Sequence, residues 1–384
     1  MHKLGGIVLG MLACAMGCEG GGGMRAQVTD SAGVALIANQ GDDRPLPWAF
    51  EPVLTLGGDD EGPTAFYRVG RGAVATDAEG NILVLDQDNF RVVVFDDTGR
   101  HLRTLGRRGG GPGEFQFPFY VLPNADGGVT VADVGRNGLM QFDRAGRPLD
   151  ILTLPGWYGG RVTHDGHSLI LGRQTTINDT LFEQVVRFEG DTLRPLVSWR
   201  SPPTRPVDLG CVQLSGMPQL FAPRFIWATG QGWVAVAGGD DYRIDLHDST
   251  GLVRSIRRAV PVRSATHDLA VQDIGENFRV QFGGGGGCAA PAARVVEARG
   301  VAPVIPPIAA VAVGPDGILW VQRRVVRGET ASVDVFDAEG VYLGTLPDGS
   351  PFPAAFQANG DVLAVVADDL DVQRVVVYRV HRGT

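Results

Sequence analysis

Residues 72–115 read GAVATDAEGNILVLDQDNFRVVVFDDTGRHLRTLGRRGGGPGEF, and four short strands with their turns follow directly from them. An apolar run at 73–76 meets the turn 77–80, and 82–86 returns as a second strand. A third strand at 91–95 reaches the tight hairpin Asp96-Asp97-Thr98-Gly99 and leads into a fourth at 101–105. Asp closes such a turn through its side-chain oxygen, and Gly accepts the positive φ that the turn needs. The 77–80 turn has five counterparts: Asp126-Gly127, Asp165-Gly166, 230–232, Asp316-Gly317 and Asn359-Gly360. The second hairpin recurs as Phe142-Asp143-Arg144-Ala145-Gly146 and Phe336-Asp337-Ala338-Glu339-Gly340, with looser copies at 188–190 and 247–251. A four-stranded unit repeating every ~40 to 47 residues is the period of a propeller blade. Six such turns predict an all-β, six-bladed β-propeller.

The last copy supplies strands near 362–366 and 375–380 and reaches Thr384 before a fourth can form, which would leave a bare sheet edge. Closed propellers remove that edge by borrowing a strand from the other terminus. Val53-Leu54-Thr55-Leu56-Gly57 reads like Leu102-Arg103-Thr104-Leu105-Gly106 and like Leu343-Gly344-Thr345-Leu346, so 53–56 is the preferred closing strand. The likeness continues beyond the strand, because 57–66 and 106–115 share the order Gly, four residues, Gly-Pro, two residues, Phe. A second hairpin, Asp30-Ser31-Ala32-Gly33 followed by 34–37, leaves the choice of terminal strand open to a shift.

Asp86, Asn89, Val92, Phe95, Asp96 and Gly99, followed by Gly-Pro-Gly-x-Phe at 111–115, carry a family resemblance. The chain resembles the NHL-repeat and related bacterial six-bladed β-propeller proteins, many of them secreted or lipid-anchored. The resemblance is strongest in the first repeat, good in the second and fifth and weak in the third and fourth. It implies the architecture; activity it leaves open, since the same scaffold hosts binding modules, lyases, lactonases and signalling ectodomains.

Composition agrees. The 384 residues are 44% hydrophobic and 20% charged, and 55 glycines and 24 prolines suit short strands joined by many turns. A formal net charge of −9 argues against a sequence-independent grip on nucleic acid, which needs surplus Lys and Arg.

The first residues have the form of an export signal, expected over 1–17: a positive start at Met1-His2-Lys3, then an apolar run at 4–16 too short to span a bilayer. Ala15-Met16-Gly17-Cys18 resembles a bacterial lipobox, with Cys18 as the lipidated residue and Cys14 as the competing site. Residues 18–27, with the run Gly20 to Gly23, would be a flexible tether, and 28–384 the propeller. Membrane contact through the lipid anchor alone and a monomeric state are expected.

Two insertions interrupt the repeats at about 201–222 and 261–307, and they hold Cys211 and Cys288. Both join an outermost strand to the next innermost one, so both emerge on one face, and in an oxidising compartment the two thiols would pair. In the second insertion Pro291 sits where a helix starts, 292–299 contains helix formers and Gly300 fits a stop. The five glycines at 283–287 lack the Lys and Ser or Thr of a phosphate loop and read as a connector.

Polar groups should converge on the insertion-bearing face or in the channel mouth beneath it. Arg107, Arg108, Glu114, Arg136, Asn137, Asp240 and Arg323 fall there and are the candidate ligand-binding residues. Asp86 and Asp133, at corresponding ends of second strands, either tie the following loops or serve as channel carboxylates or calcium ligands, as in propeller lactonases. His164-Asp165-Gly166-His167 is the nearest approach to a metal cluster, and its Asp-Gly is required by the turn. No metal, cofactor or catalytic residue is assigned: calcium has no motif behind it, and no nucleophile elbow is present. Two functions stand: an envelope binding scaffold for a small molecule, glycan, peptide or protein, and a divalent-metal propeller hydrolase or lyase, lactonase-like or amidating-lyase-like.

Overall fold

The computed structural model describes residues 26–383 apart from 59–60, 155–160, 165–167, 191, 231, 282–286 and 369–370. The signal and lipobox, and most of the five-glycine run, lie outside the described residues. Six antiparallel four-strand units surround a central channel. Blade 1 is Val74–Thr76, Ile82–Asp86, Arg91–Phe95 and His101–Leu105, from the channel outward. Blade 2 is Pro118–Pro123, Val129–Asp133, Gly138–Phe142 and Leu152–Thr153; blade 3 is Val162–His164, Leu169–Ile177, Thr180–Glu189 and Thr192–Arg200. Blade 4 holds Ile226–Gly230, Trp233–Ala237, Arg243–Asp248 and Gly251–Arg258, and blade 5 holds Ile308–Val313, Leu319–Arg323, Val333–Phe336 and Tyr342–Thr345. Blade 6 is Ala355–Phe356, Val362–Ala367, Gln373–His381 and, outermost, Ala49–Gly57.

The closing strand is therefore the expected one, extended to nine residues. It pairs antiparallel with Gln373–His381, placing Leu54 opposite Val377 and Leu56 opposite Val375. The duplicated Gly-Pro-Phe segment has a steric cause. A Cβ on Gly106 (φ +81°) would lie 2.1 Å from the Phe115 ring, and one on Gly57 (φ +105°) would lie 2.9 Å from Phe66. Each aromatic ring packs flush on a glycine that closes the preceding strand. Asp96, Asp143 and Asp337 each accept backbone N–H bonds across their hairpins, at 2.9 Å from Arg100, 2.8 Å from Arg147 and 2.8 Å from Val341.

The core lies between blades, which is why the second and third strands of blade 1 lack a polar face. Ile82, Val84, Leu85 and 92–95 have no exposed surface, and fully burying a Phe or Val stabilises by about 1.5–3 kcal/mol.

The hairpin at 30–33 has a different destination. Ala26–Ser31 and Val34–Asn39 form it, and Val34–Asn39 pairs in parallel with Gly251–Arg258, so blade 4 has six strands. Ala26 and Gln27, placed in the tether by sequence, already pair with Asn39 and Ala38. Residues 44–46 then run along the outer strand of blade 5, where Leu46 N–H donates to Thr345 O at 2.8 Å. The segment 26–57 thus belts the outer edges of blades 4, 5 and 6 in turn.

The insertions build a small second core. Arg205–Asp208 pairs with Gln213–Met217, and Asn277–Gln281 pairs with Gly287–Pro291. Cys211 and Cys288 form a disulfide between the two insertions, their Cα atoms 5.8 Å apart and 77 residues apart in sequence. Helix α2 spans Ala292–Arg299 as expected, with Pro291 just before it. Helix α1, His267–Ile274, went unread in the sequence although Thr266 Oγ1 caps it by accepting from Leu269 N–H at 3.2 Å. Among the described residues no helix is long and apolar enough to cross a membrane.

Candidate functional site

The inner strands of all six blades enclose a channel of about 1130 Å³. Its walls mix guanidiniums with aromatic rings. Arg71 stands just before the inner strand of blade 1 and Arg161 just before that of blade 3, so both sit at the insertion-face end. Arg71 donates to Gln322 Oε1 at 2.8 Å and lies 4.9 Å from the centre of the Phe352 ring. Arg161 donates to Trp227 O at 2.8 Å and lies 5.3 Å from the Trp227 ring centre. Crowding by protein atoms holds both guanidinium pKa values below their ordinary one. Burial pushes the nearby Tyr120 hydroxyl up, against the pull of Arg161. Tyr120 is held by a near-contact, since a Cβ on Gly72 would fall 2.3 Å from its ring.

Two further arginines line the channel. Arg68 pairs with Asp88 at 2.8 Å, and Arg173 donates to the neutral Gln184 at 3.0 Å, which in turn donates to Ser198. Glu183 is the one carboxylate on the described wall, and burial raises its pKa. Arg71, Arg161 and Arg173 have no carboxylate partner among the described residues. A second chamber of about 390 Å³ beneath the insertions shares Glu183, Phe225, Ile226 and Ala309 with the channel.

The seven residues proposed from sequence lie on the insertion face, around the mouth and outside the channel wall. Arg107 pairs with Glu114 at 2.8 Å, and Glu114 accepts from Gly111 N–H at 2.7 Å, which lowers its pKa. Arg108 lies over the Phe90 ring at 5.2 Å, and Arg136 donates to Gly110 O. Asn137 is exposed in the left-handed region, φ 49°, where its backbone closes a 3-10 turn, and Asp240 is exposed.

Arg323 belongs to an internal network. Asp334, with no exposed surface, accepts from Tyr242 Oη at 2.7 Å, Arg323 Nε at 2.9 Å, Arg258 Nη1 at 3.3 Å and Thr345 Oγ1 at 2.6 Å. Asp43, on the belt, accepts from Arg323 at 2.7 and 2.8 Å and from Arg258. The bond from Arg323 is the chief cause that holds the Asp43 pKa at about 2. Burial opposes the charge on Arg323, and the bonds to Asp43 and Asp334 outweigh it and raise its pKa. Burial, then Asp334, drives the Tyr242 hydroxyl well above its ordinary range.

Asp86 and Asp133 tie loops. Asp86 accepts from Tyr67 N–H at 3.1 Å and Asn89 Nδ2 at 2.7 Å; Asp133 accepts from Gln116 N–H at 2.7 Å and Phe117 N–H at 2.9 Å. Each fastens the chain entering its blade's inner strand. Residues 165–167 of the histidine cluster lie outside the described residues. Among the described residues no group of three or more His, Cys, Asp or Glu is placed to hold a metal ion.

Comparison with known proteins extends this picture at the level of fold. The DUF5128 family model, a 6-bladed beta-propeller, matches residues 73–163. No curated protein sequence matches the chain. Among solved structures, a Bacteroides fragilis protein described as a candidate exported protein superposes with a TM-score of 0.55 at 12% identity, covering 90% of this chain and 99% of its own. A Bacteroides vulgatus member of the duf4221 family gives 0.46 at 8% identity over 88% and 99%. A Xanthomonas campestris gluconolactonase gives 0.39 at 13% identity over 80% and 85%. The local family match, the near full-length likeness to the first of these and the sheet order agree that the chain folds as a six-bladed β-propeller.

Proposed function

We propose that the protein is an exported, lipid-anchored propeller that binds a small organic ligand at the insertion-face end of its channel. The single observation behind this reading is the 1130 Å³ cavity, onto which arginines and aromatic rings from several blades converge. A binding site of drug-sized volume with a few oriented polar groups is the usual geometry of ligand recognition. A metal-dependent hydrolase or lyase would need several carboxylate, Asn or His groups meeting at one point. The described wall brings one carboxylate among four arginines, a setting that repels a cation.

Export and anchoring rest on the apolar leader and the Ala15-to-Cys18 motif, and the Bacteroides fragilis protein described as a candidate exported protein has a similar fold. The test is a thermal-shift screen of the purified protein with sugars, lactones, peptides, organic acids and divalent cations. Saturable stabilisation by an organic compound is the expected result. Stabilisation by calcium or zinc alone would replace this reading with the metal-dependent one. For the anchor, Cys18→Ala should move the protein from the membrane fraction to the soluble one, and unchanged membrane retention would refute it.

A further inference from the structure

We propose that the channel selects planar organic anions, compounds that carry a carboxylate on an aromatic body; this inference rests on the channel being a binding site. Three observations converge on that ligand class.

The first is uncompensated charge. The chain is acidic overall, at −9, yet the described residues of its channel wall present four arginines against one carboxylate. Among the described residues only Arg68 is paired with an acid, Asp88. Low-dielectric walls concentrate the field of such cations into the cavity, so the channel is an electropositive funnel in an otherwise negative molecule.

The second is preorganisation. Arg71 is fixed by Gln322 and the Phe352 ring, and Arg161 by the Trp227 carbonyl and ring. In each case the protein partner is neutral, so the guanidinium keeps its full charge and its remaining N–H donors. A planar guanidinium fork matches a planar carboxylate in a two-bonded geometry, and charge-assisted bonds of that kind are roughly twice as strong as neutral ones. Arg161, which is partly buried, has its pKa lowered by the protein atoms around it, while Arg71 is more exposed and is placed by its contacts with Gln322 and Phe352.

The third is the apolar half of the wall. Phe119, Tyr120, Phe225, Trp227, Phe352 and Phe356 surround the same cavity, and aromatic faces favour stacked or edge-on rings. A bare inorganic anion would leave those faces in contact with water. A neutral aromatic would leave the arginines without a partner. An aromatic carboxylate satisfies both at once.

The experiment is calorimetric titration of the full-length protein with two shape-matched probes, 2-naphthoate and 2-naphthamide, repeated at low and high salt. The expected result is saturable binding of naphthoate, weakened by salt, with naphthamide at least tenfold weaker. Arg71→Gln and Arg161→Gln should each cost about ten- to a hundredfold in naphthoate affinity, the size of a lost hydrogen bond to a charged group, and should cost the uncharged naphthamide clearly less, so that the preference for the anion shrinks. Arg161→Lys, which keeps the charge and guards against a folding defect in the Gln variants, should retain the preference for naphthoate. Equal affinity for both probes would overturn the anion inference while leaving channel binding intact. Failure of both to bind would overturn the inference and remove support from the channel reading as well.

Discussion

At the junction of blades 4 and 5, Arg258 and Arg323 each meet both Asp43 and Asp334, whereas in the channel Arg71 and Arg161 meet no carboxylate among the described residues. The two regions use the same side chain for different ends. The first group is closed in charge: two cations, two anions, Tyr242 and Thr345 bond to one another and join the belt to two blades, with Arg258 Nε the one donor there left buried without a partner among the described residues. Its bonds hold the ring together, with Asp334 fully buried and Asp43 half exposed but engaged by both arginines. The second group is open, held by neutral partners and lining the channel. A cation without an internal counter-charge must be compensated from outside, and that is the difference between a structural arginine and a ligand-binding one.

The largest effect should come from removing the belt that carries Asp43. Deleting residues through 57 strips the closing strand from blade 6 and the outer cover from blades 4 and 5. We expect a loss of at least about 5 kcal/mol, enough to unfold a typical domain, while a cut ending at Gly23 spares every described strand. Equal melting temperatures for the two truncations would contradict ring closure by Ala49–Gly57.

Next in size is Asp334→Ala. It leaves Arg258 and Arg323 with Asp43 alone, and breaking a buried ion network by removing one partner costs about 3–5 kcal/mol. Denaturant unfolding should show the midpoint falling at unchanged slope. A cost within about 0.5 kcal/mol, the range of ordinary surface substitutions, would show that the closed network contributes little.

A smaller change tests the channel side. In Gly72→Ala the new methyl must displace the Tyr120 ring, a crowding effect of about 1–3 kcal/mol. The displaced ring should also alter ligand affinity, which Asp334→Ala, on the third strand of blade 5 and not part of the cavity wall, should leave alone in its folded fraction. Wild-type stability in Gly72→Ala would mean that the ring has room to move.

The smallest effect is a pH dependence. Asp43 titrates at about 2 in the folded protein, below the ~3.9 of an unfolded chain, so its contribution is complete above about pH 4. It is lost as pH falls from about 4 through 2. Because Asp43 is half exposed, solvent screening keeps the amplitude modest. Asp43→Asn should flatten that acid limb in a stability profile, and an unaltered limb would remove Asp43 from the account.

Much of the fold was legible because its signals are local. An Asp or Asn followed by Gly marks five of the six inner turns within a few residues, and the closing strand betrays itself by resembling the outer strands of other blades. Partnerships at long range were not legible. Nothing in Val34–Asn39 announces a parallel pairing with Gly251–Arg258, more than two hundred residues away. Arg323 was read as a surface ligand residue because its partner Asp43 lies 280 positions earlier. Arg71 and Arg161 carry no local signal at all: each stands alone just before an inner strand, outside every turn and hairpin motif that the repeats share. A better rule asks which charged residues flank the innermost strand of each repeat, since that strand alone borders the channel. Helix α1 was recoverable from Thr266 and Gly275, its cap and its stop.

One paired measurement tests the central distinction most directly: melting temperature and 2-naphthoate affinity, determined side by side for Arg161→Gln and Arg323→Gln. The account predicts a crossed result, in which Arg161→Gln loses affinity by tenfold or more at near wild-type stability, and Arg323→Gln melts several degrees lower while its folded fraction binds as the wild type does. Parallel losses in both variants, or the reverse crossing, would contradict it.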